Sequence, residues 1–261
     1  MAILRACSRV PRVSISMMSA KSSNDQKGLV LSIDAAMGGC VAGLYNPVTG
    51  EAVERSLRTE REQAAKLVPM VQEMIAEAGA GFPDVALIVT TIGPGSFTGL
   101  RIGMSAARSF ALALGIPLQG ITTFDAVLES CARGEDGAGY FILLEAKRRD
   151  FYVQVFDKNK TAGEPVCLET PEIVDLARGK GLILCGDAAG RLAGEAGEAF
   201  DGLFSEVREC ILPFGAVIAR KGHDVFTKNG HVADKAEPLY MRGADVFLSS
   251  KTQRKIADFP V

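Results

Sequence analysis

Apolar and polar positions alternate between two kinds of pattern along this chain. Leu29-Val30-Leu31-Ser32-Ile33-Asp34 and Cys40-Val41-Ala42-Gly43-Leu44-Tyr45 are short, nearly continuous apolar runs, the mark of core strands. Between the second run and a third strand, Ala52 to Leu57, lies Asn46-Pro47-Val48-Thr49-Gly50-Glu51. That loop has the Asn, Pro and Gly signals of a hairpin turn. Val85 to Thr90, Leu118 to Ile121, Tyr140 to Ala146, Phe151 to Asp157 and Leu182 to Cys185 read as further strands.

Helical periodicity fills the gaps. From Glu60 to Ala78, the residues Ala64, Leu67, Val68, Val71, Ile75 and Ala78 recur at spacings of three, four and seven, giving one apolar face. Met70 and Met74 widen that face, Pro69 predicts a kink, and Gly79 and Gly81 end the helix. A second helix is predicted from Gly99 to Leu114 and a third from Thr123 to Cys131. At about 100° per residue, Leu100, Met104, Ala107, Ala111 and Leu114 share one face of the second helix. Ile102, Ala106, Phe110 and Ala113 share nearly the opposite one, with only Arg101 and Arg108 charged. Such a helix is either wholly enclosed or covered on one face by a partner. Strands alternating with helices predict an α/β protein of two lobes, with a boundary in the glycine-rich stretch Gly134 to Gly139.

Composition narrows the function. The 261 residues carry 29 basic and 31 acidic side chains, a net charge of −2. A protein gripping nucleic acid alone usually has a basic excess, so any such contact is local or made through a partner. Six scattered cysteines form no CxxC pair and read as buried reduced thiols. No apolar run approaches the roughly 20 residues of a membrane span, so the chain reads as soluble. Residues 1–27 are basic and serine-bearing, with no acid before Asp25. They read as an organellar transit peptide or as a dispensable start ahead of Met17 and Met18, disordered in either case.

Gly93-Pro94-Gly95-Ser96-Phe97-Thr98-Gly99-Leu100-Arg101-Ile102-Gly103 is the most informative segment. It is a strand end, a tight turn and a helix start, with Ser96 or Thr98 as cap. A helix start attracts anions. A Walker loop is excluded, because Leu100-Arg101 follows Gly99 where Lys and a hydroxyl residue are needed. Read alone, the loop serves either to turn the chain or to bind.

The stretch IGPGSFTGLRIGMSAARSFALALGIPLQGITTFDAV resembles the hallmark of the TsaB family, formerly YeaZ. LSIDAA, KLVPMV, EAKRRDFYVQVF and AEPLYMRGAD follow the family order, so the resemblance covers about residues 29–246. Departures are Gln63 and Ala65, where many relatives carry His and Glu, and Glu145, where Asp is common. The resemblance implies an ASKHA fold, actin-like and sugar-kinase-like, of two related α/β lobes. On that basis residues 1–27 are an extension and 28–132 the first lobe. Residues 133–212 form the second lobe, and 213–261 a segment returning to the first, with a frayed tail. The family's role is that of a non-catalytic scaffold, pairing with the catalytic paralogue TsaD and working with the ATPase TsaE. TsaD puts threonylcarbamoyl on the tRNA adenosine next to the anticodon. The resemblance also implies a homodimer when alone, tRNA contact only through the complex and a cytoplasmic location, or an organellar one if residues 1–27 are a transit peptide. No cofactor, metal or catalytic residue is expected, although a nucleotide at the TsaD interface is compatible with the family. The pairing surface it implies comprises Leu67, Pro69, Met70, Met74, Phe97, Arg101, Met104, Ala107 and Arg108.

The residues themselves argue against chemistry. His223 and His231, eight apart, are the only histidines, and catalytic zinc usually takes three protein ligands. Kinases of this architecture follow the first-strand Asp with hydroxyl residues, whereas Asp34 is followed by Ala35, Ala36 and Met37. Gly186-Asp187-Ala188-Ala189-Gly190 resembles an adenosine loop but reads equally as a turn. The rival expectation is a degenerate metallopeptidase-like or ATP-hydrolysing enzyme of the same fold.

Overall fold

The computed structural model describes residues 5–6, 28–59, 61–132, 137–230 and 236–241. After a two-residue strand β1 (Arg5–Ala6) comes β2 (Leu29–Asp34), β3 (Gly39–Tyr45), β4 (Ala52–Arg58), α1 (Gln63–Glu77), β5 (Val85–Thr91), α2 (Phe97–Leu114), β6 (Leu118–Ile121) and α3 (Thr123–Cys131). The same succession then recurs as β7 (Tyr140–Glu145), β8 (Phe151–Phe156), β9 (Val166–Leu168), α4 (Thr170–Ala177), β10 (Ile183–Gly186), α5 (Ala189–Ala196), β11 (Glu206–Glu209) and α6 (Gly215–Lys228). One sheet has the order β4-β3-β2-β5-β6 and the other β1-β11-β10-β7-β8-β9. In each, three antiparallel strands are extended by two parallel ones, with β1 added as a further parallel strand at the edge of the second sheet, so the lobes repeat one plan.

Side-chain parity explains the layering. Leu29, Leu31 and Ile33 of β2 join the core beneath α1 and α2, while Val30 joins the core on the other face beneath α6. In β7, Phe141 and Leu143 face α4 and α5, and Tyr140, Ile142 and Leu144 face α3. A strand covered on both faces has no polar side to show, hence the unbroken apolar runs.

The last helix of each half packs on the other half's sheet. α3 supplies Phe124, Val127, Leu128 and Cys131 to the core of the second sheet. α6 lies on β2, β3 and β5 of the first and also touches α3. Ser32 Oγ donates to Gly215 O at 2.7 Å, and Ala216 N donates to Glu54 Oε2 at 3.1 Å. The carboxylate thus meets free amides at the start of α6.

Elements the apolar pattern left unassigned are β9, α4, α5, β11 and α6. α5 and α6 contain internal glycines that read as breakers. α1 runs through Pro69 as one helix and starts at Gln63. Apart from Arg5–Ala6, which pair with β11, the extension at 1–27 lies outside the described residues, as do Gly134 to Asp136 and the tail from 242.

Gly222 sits where α6 crosses the sheet, and a Cβ there would lie 2.3 Å from Val89 Cγ1. Gly222→Ala should therefore lower unfolding free energy by about 1–3 kcal/mol, measured by urea denaturation, despite the better helix propensity of Ala.

Candidate functional site

The glycine loop leaves β5 and enters α2 over the backbone that follows β2. A Cβ at Gly95 would lie 2.4 Å from Ala36 O, and one at Gly99 1.9 Å from Ala35 O. A Cβ at Gly103 would come within 3.1 Å of Ala35 N. Ser96 N donates to Ala36 O at 2.7 Å, and Ser96 Oγ caps the helix by accepting from Gly99 N at 3.3 Å. Gly93 adopts φ +110°, a conformation closed to most side chains. These glycines allow one stretch of backbone to lie on another, with α2 held against the first sheet.

On its outer side α2 leaves a groove against α1. Ala64, Leu67 and Val68 form one wall; Phe97, Ile102 and Ala106 form the other, enclosing about 530 Å³ open to solvent. The Arg101 guanidinium lies over the Phe97 ring, 3.8 Å from its centroid. Phe97 is 55% exposed and Val68 37%, and Leu112, two turns beyond Ser105 on the outer face of α2, is 86% exposed.

The expected pairing residues fall into two groups. Pro69, Phe97, Arg101 and Arg108 reach the surface. Leu67, Met70, Met74, Met104 and Ala107 do not, which corrects their expected exposure: all five are at most 9% exposed. The widened face of α1 and the Met104 face of α2 are turned into the core over β2, β3 and β5. Arg108 is also engaged within the chain, its Nη2 donating to Ala236 O at 3.0 Å. Sequence reading passed over Ala64, Ile102 and Ala106 as the residues that line the opening. Their signal was the second apolar face of α2 and the Ala64–Val68 edge of α1.

Residues 236–241 form a strap over this region. Leu239 N donates to Ile92 O at 2.7 Å, and the Tyr240 ring stands 6.1 Å from that of Phe97. Ala236 is fully buried beside Gly120.

Carboxyl groups stand at equivalent strand ends in the two lobes. Asp34, at the end of β2, is fully buried; Thr91 Oγ1 and Ala36 N donate to its Oδ1, and its Oδ2 has no partner. Burial pushes this carboxyl above the usual range, against those hydrogen bonds. Asp187, after β10, accepts from Glu145 N at 2.9 Å. Burial, with the Glu145 carboxylate adding to it, pushes Asp187 up to about 6. Arg191 pairs with Glu145 at 3.2 Å and stacks on Phe151 at 3.6 Å, tying α5 to the loop after β7. His223 is edge-on to Tyr45 at 6.2 Å, and His231 lies outside the described residues. Among the described residues no three His, Cys, Asp or Glu side chains are grouped to hold a metal ion, and no helix is long and apolar enough to cross a membrane.

The duplicated plan and the exchange of α3 and α6 define an α/β protein of the actin-like, ASKHA class. The chain superimposes on YeaZ from Pseudomonas aeruginosa with a TM-score of 0.67 at 20% identity, over 82% of this chain and 99% of that one. A structure described as an uncharacterized protein with similarity to peptidase YeaZ from the same organism gives 0.69 at 21%, over 82% and 100%. A family model described as TsaD, tRNA N6-adenosine threonylcarbamoyltransferase, matches residues 57–185. An uncharacterized protein of Mycobacterium tuberculosis is 34% identical over 55% of this chain and 67% of its own length. The tRNA threonylcarbamoyladenosine biosynthesis protein TsaB of Escherichia coli is 28% identical over 56% and 64%. The chain is thus similar to proteins described as TsaB and YeaZ, and shares the fold of the latter.

Asp187 provides a pH test. Its folded value near 6 exceeds the ordinary 3.8, so the folded state holds the proton more tightly. The resulting stability is present at low pH and is lost as pH rises between those values. Asp187→Asn, which keeps the acceptor for Glu145 N, should remove that loss and stabilise the protein at pH 7 by on the order of 1 kcal/mol, read from urea melts at pH 4.5 and 7.

Proposed function

We propose that this chain is the non-catalytic scaffold subunit of a system that threonylcarbamoylates the tRNA adenosine next to the anticodon. In this reading a TsaD-like catalytic paralogue docks on the α1–α2 groove, and a TsaE-like ATPase joins the assembly. The observation that carries it is the groove itself, an apolar surface with Phe97 and Val68 open to water on the lobe that bears the family hallmark. Aromatic and arginine anchors such as Phe97 and Arg101 are the side chains that concentrate binding energy at interfaces. With a net charge of −2, the chain contacts tRNA through the complex and not by itself. Alone, the same patch is available to a second copy, and a homodimer is the expected resting state.

A second reading draws on the carboxyl groups. Asp34, with one oxygen unpartnered, and Asp187 beside Glu145 occupy strand ends where an ATP-hydrolysing relative would work. It requires ATP turnover by the purified chain. The scaffold reading instead requires none above background without the partners.

Docking is tested at side chains that point outward. Val68→Glu and Phe97→Glu should leave the thermal transition nearly unchanged and reduce co-purification of the TsaD-like paralogue at least tenfold, since each places an unpaired charge in an apolar contact. Undiminished capture with both variants would remove the groove from the interface. Charged residues at Met104 or Ala107 are unsuitable probes, because both are core positions.

A further inference from the structure

We propose that Lys147-Arg148-Arg149, the turn between β7 and β8, is a phosphate contact through which this chain helps to hold RNA in the assembly. Among the described residues no other three cations follow one another, and all three are exposed. The side chains of Lys147 and Arg149 make no hydrogen bond or ion pair among the described residues, whereas Arg148 has neighbours within the chain. That the RNA is a tRNA rests on the scaffold reading above; the contact itself is a property of this chain.

The turn is held in place from below. Arg191 Nη1 donates to Arg148 O, and Arg191 Nη2 donates to Asp150 O at 2.8 Å. The same guanidinium pairs with Glu145 at 3.2 Å and lies 3.6 Å from the centroid of the Phe151 ring. Lys147 takes a φ of +54°, which few residues other than glycine adopt, and its amide donates to Glu145 Oε1. One arginine thus fixes the carbonyls of the turn and takes up the carboxylate at its base, so Glu145 does not cancel the charge at the tip. Little ordering is left to be lost on binding.

The surroundings favour RNA over an acidic protein. Protein interfaces concentrate their energy in apolar and aromatic anchors. This turn is wholly polar, and the one exposed large apolar side chain of the second lobe among the described residues is Val166, on the edge strand β9. Guanidinium and ammonium groups without an apolar companion suit phosphate oxygens. On the helices behind the turn, Glu169, Glu172, Asp175, Glu195 and Glu198 are exposed and repel a polyanion, so RNA meets the lobe at the tip alone. A contact confined to one turn also agrees with a net charge of −2 for the whole chain.

In the complex with the TsaD-like paralogue, Lys147→Gln combined with Arg149→Gln should weaken tRNA binding about tenfold at low salt. It should also flatten the slope of log affinity against log salt by roughly 1–2, since each lost phosphate contact removes about 0.7–0.9. Lys180→Gln, an exposed cation at the opposite end of β10, should change neither. Unchanged affinity and slope in the double variant overturn the proposal. So does an equal loss with Lys180→Gln, which makes the effect one of net charge. A second measurement needs no partner: an anticodon-arm RNA stem-loop added to the isolated, isotope-labelled chain at low salt should shift the amide resonances of residues 146–150, and added salt should reverse the shift. Amides that stay still overturn the proposal, and equal shifts with oligoglutamate of the same charge replace RNA with an acidic protein. Where the turn responds to RNA but no complex assembles, the docking reading fails and the contact stands.

Discussion

The contact on which the first lobe depends is between two lengths of main chain. Gly95, Gly99 and Gly103 lie four residues apart, about one helical turn each, and face the backbone of Ala35 and Ala36. With no side chain between them, α2 sinks onto the exit of β2 until Leu100, Met104 and Ala107 are enclosed. Any larger residue at Gly99 would have to push the helix off Ala35 O. α1 rests chiefly on β3 of the same sheet and touches both β4 and α2. Two helices seated on one surface need not meet along their whole length, and the space they leave is the groove.

A second constraint ties the halves together. α6 is anchored to the first sheet by Ser32, by Glu54 and by the Gly222 crossing at Val89, while α3 closes the second sheet. Glu129 of α3 pairs with Lys221 of α6 at 3.1 Å and with Lys160, beyond β8, at 3.5 Å. Both cations hold the Glu129 carboxyl below its ordinary value although its burial acts in the other direction. The helix layer between the sheets therefore carries contacts from both lobes, and neither sheet is covered without the other half of the chain.

The first lobe was the more legible half because its signals are local. β2, β3 and β5 are apolar runs, and α2 has an N-cap, a glycine at its end and a two-faced pattern. The second half hides its helices. In α6, Gly215 and Gly222 look like breakers, yet they are the points where the helix touches Ala42 O and Val89. α5 is eight residues with Gly190 and Gly194 inside, too short for a periodic stripe. Burial direction was legible only to the level of a helix face. The pattern showed that α2 had two apolar sides, but choosing which one meets the sheet required knowing where Ala35 and Ala36 lie. That is why Met104 and Ala107 were read as surface and Ile102 and Ala106 were not. The strap was invisible to periodicity, since its role comes from hydrogen bonds to Ile92 and Arg108 and not from apolar spacing.

The same glycine contact bears on chemistry at Asp34. Its Oδ1 is taken by Thr91 and Ala36, and the loop that follows is pressed on the start of α2 by the Ser96–Ala36 hydrogen bond. A carboxyl so enclosed favours its neutral form, because ionising it would leave a charge away from water. Asp187 is different: it lies at a less buried strand end, with a value near 6, beside an Arg191-braced loop. If one half of this duplicated fold retains a capacity for ligand chemistry, electrostatics favours the second. The hallmark segment of the first lobe instead presents a surface, where Phe97 and Arg101 stack at the mouth of the groove.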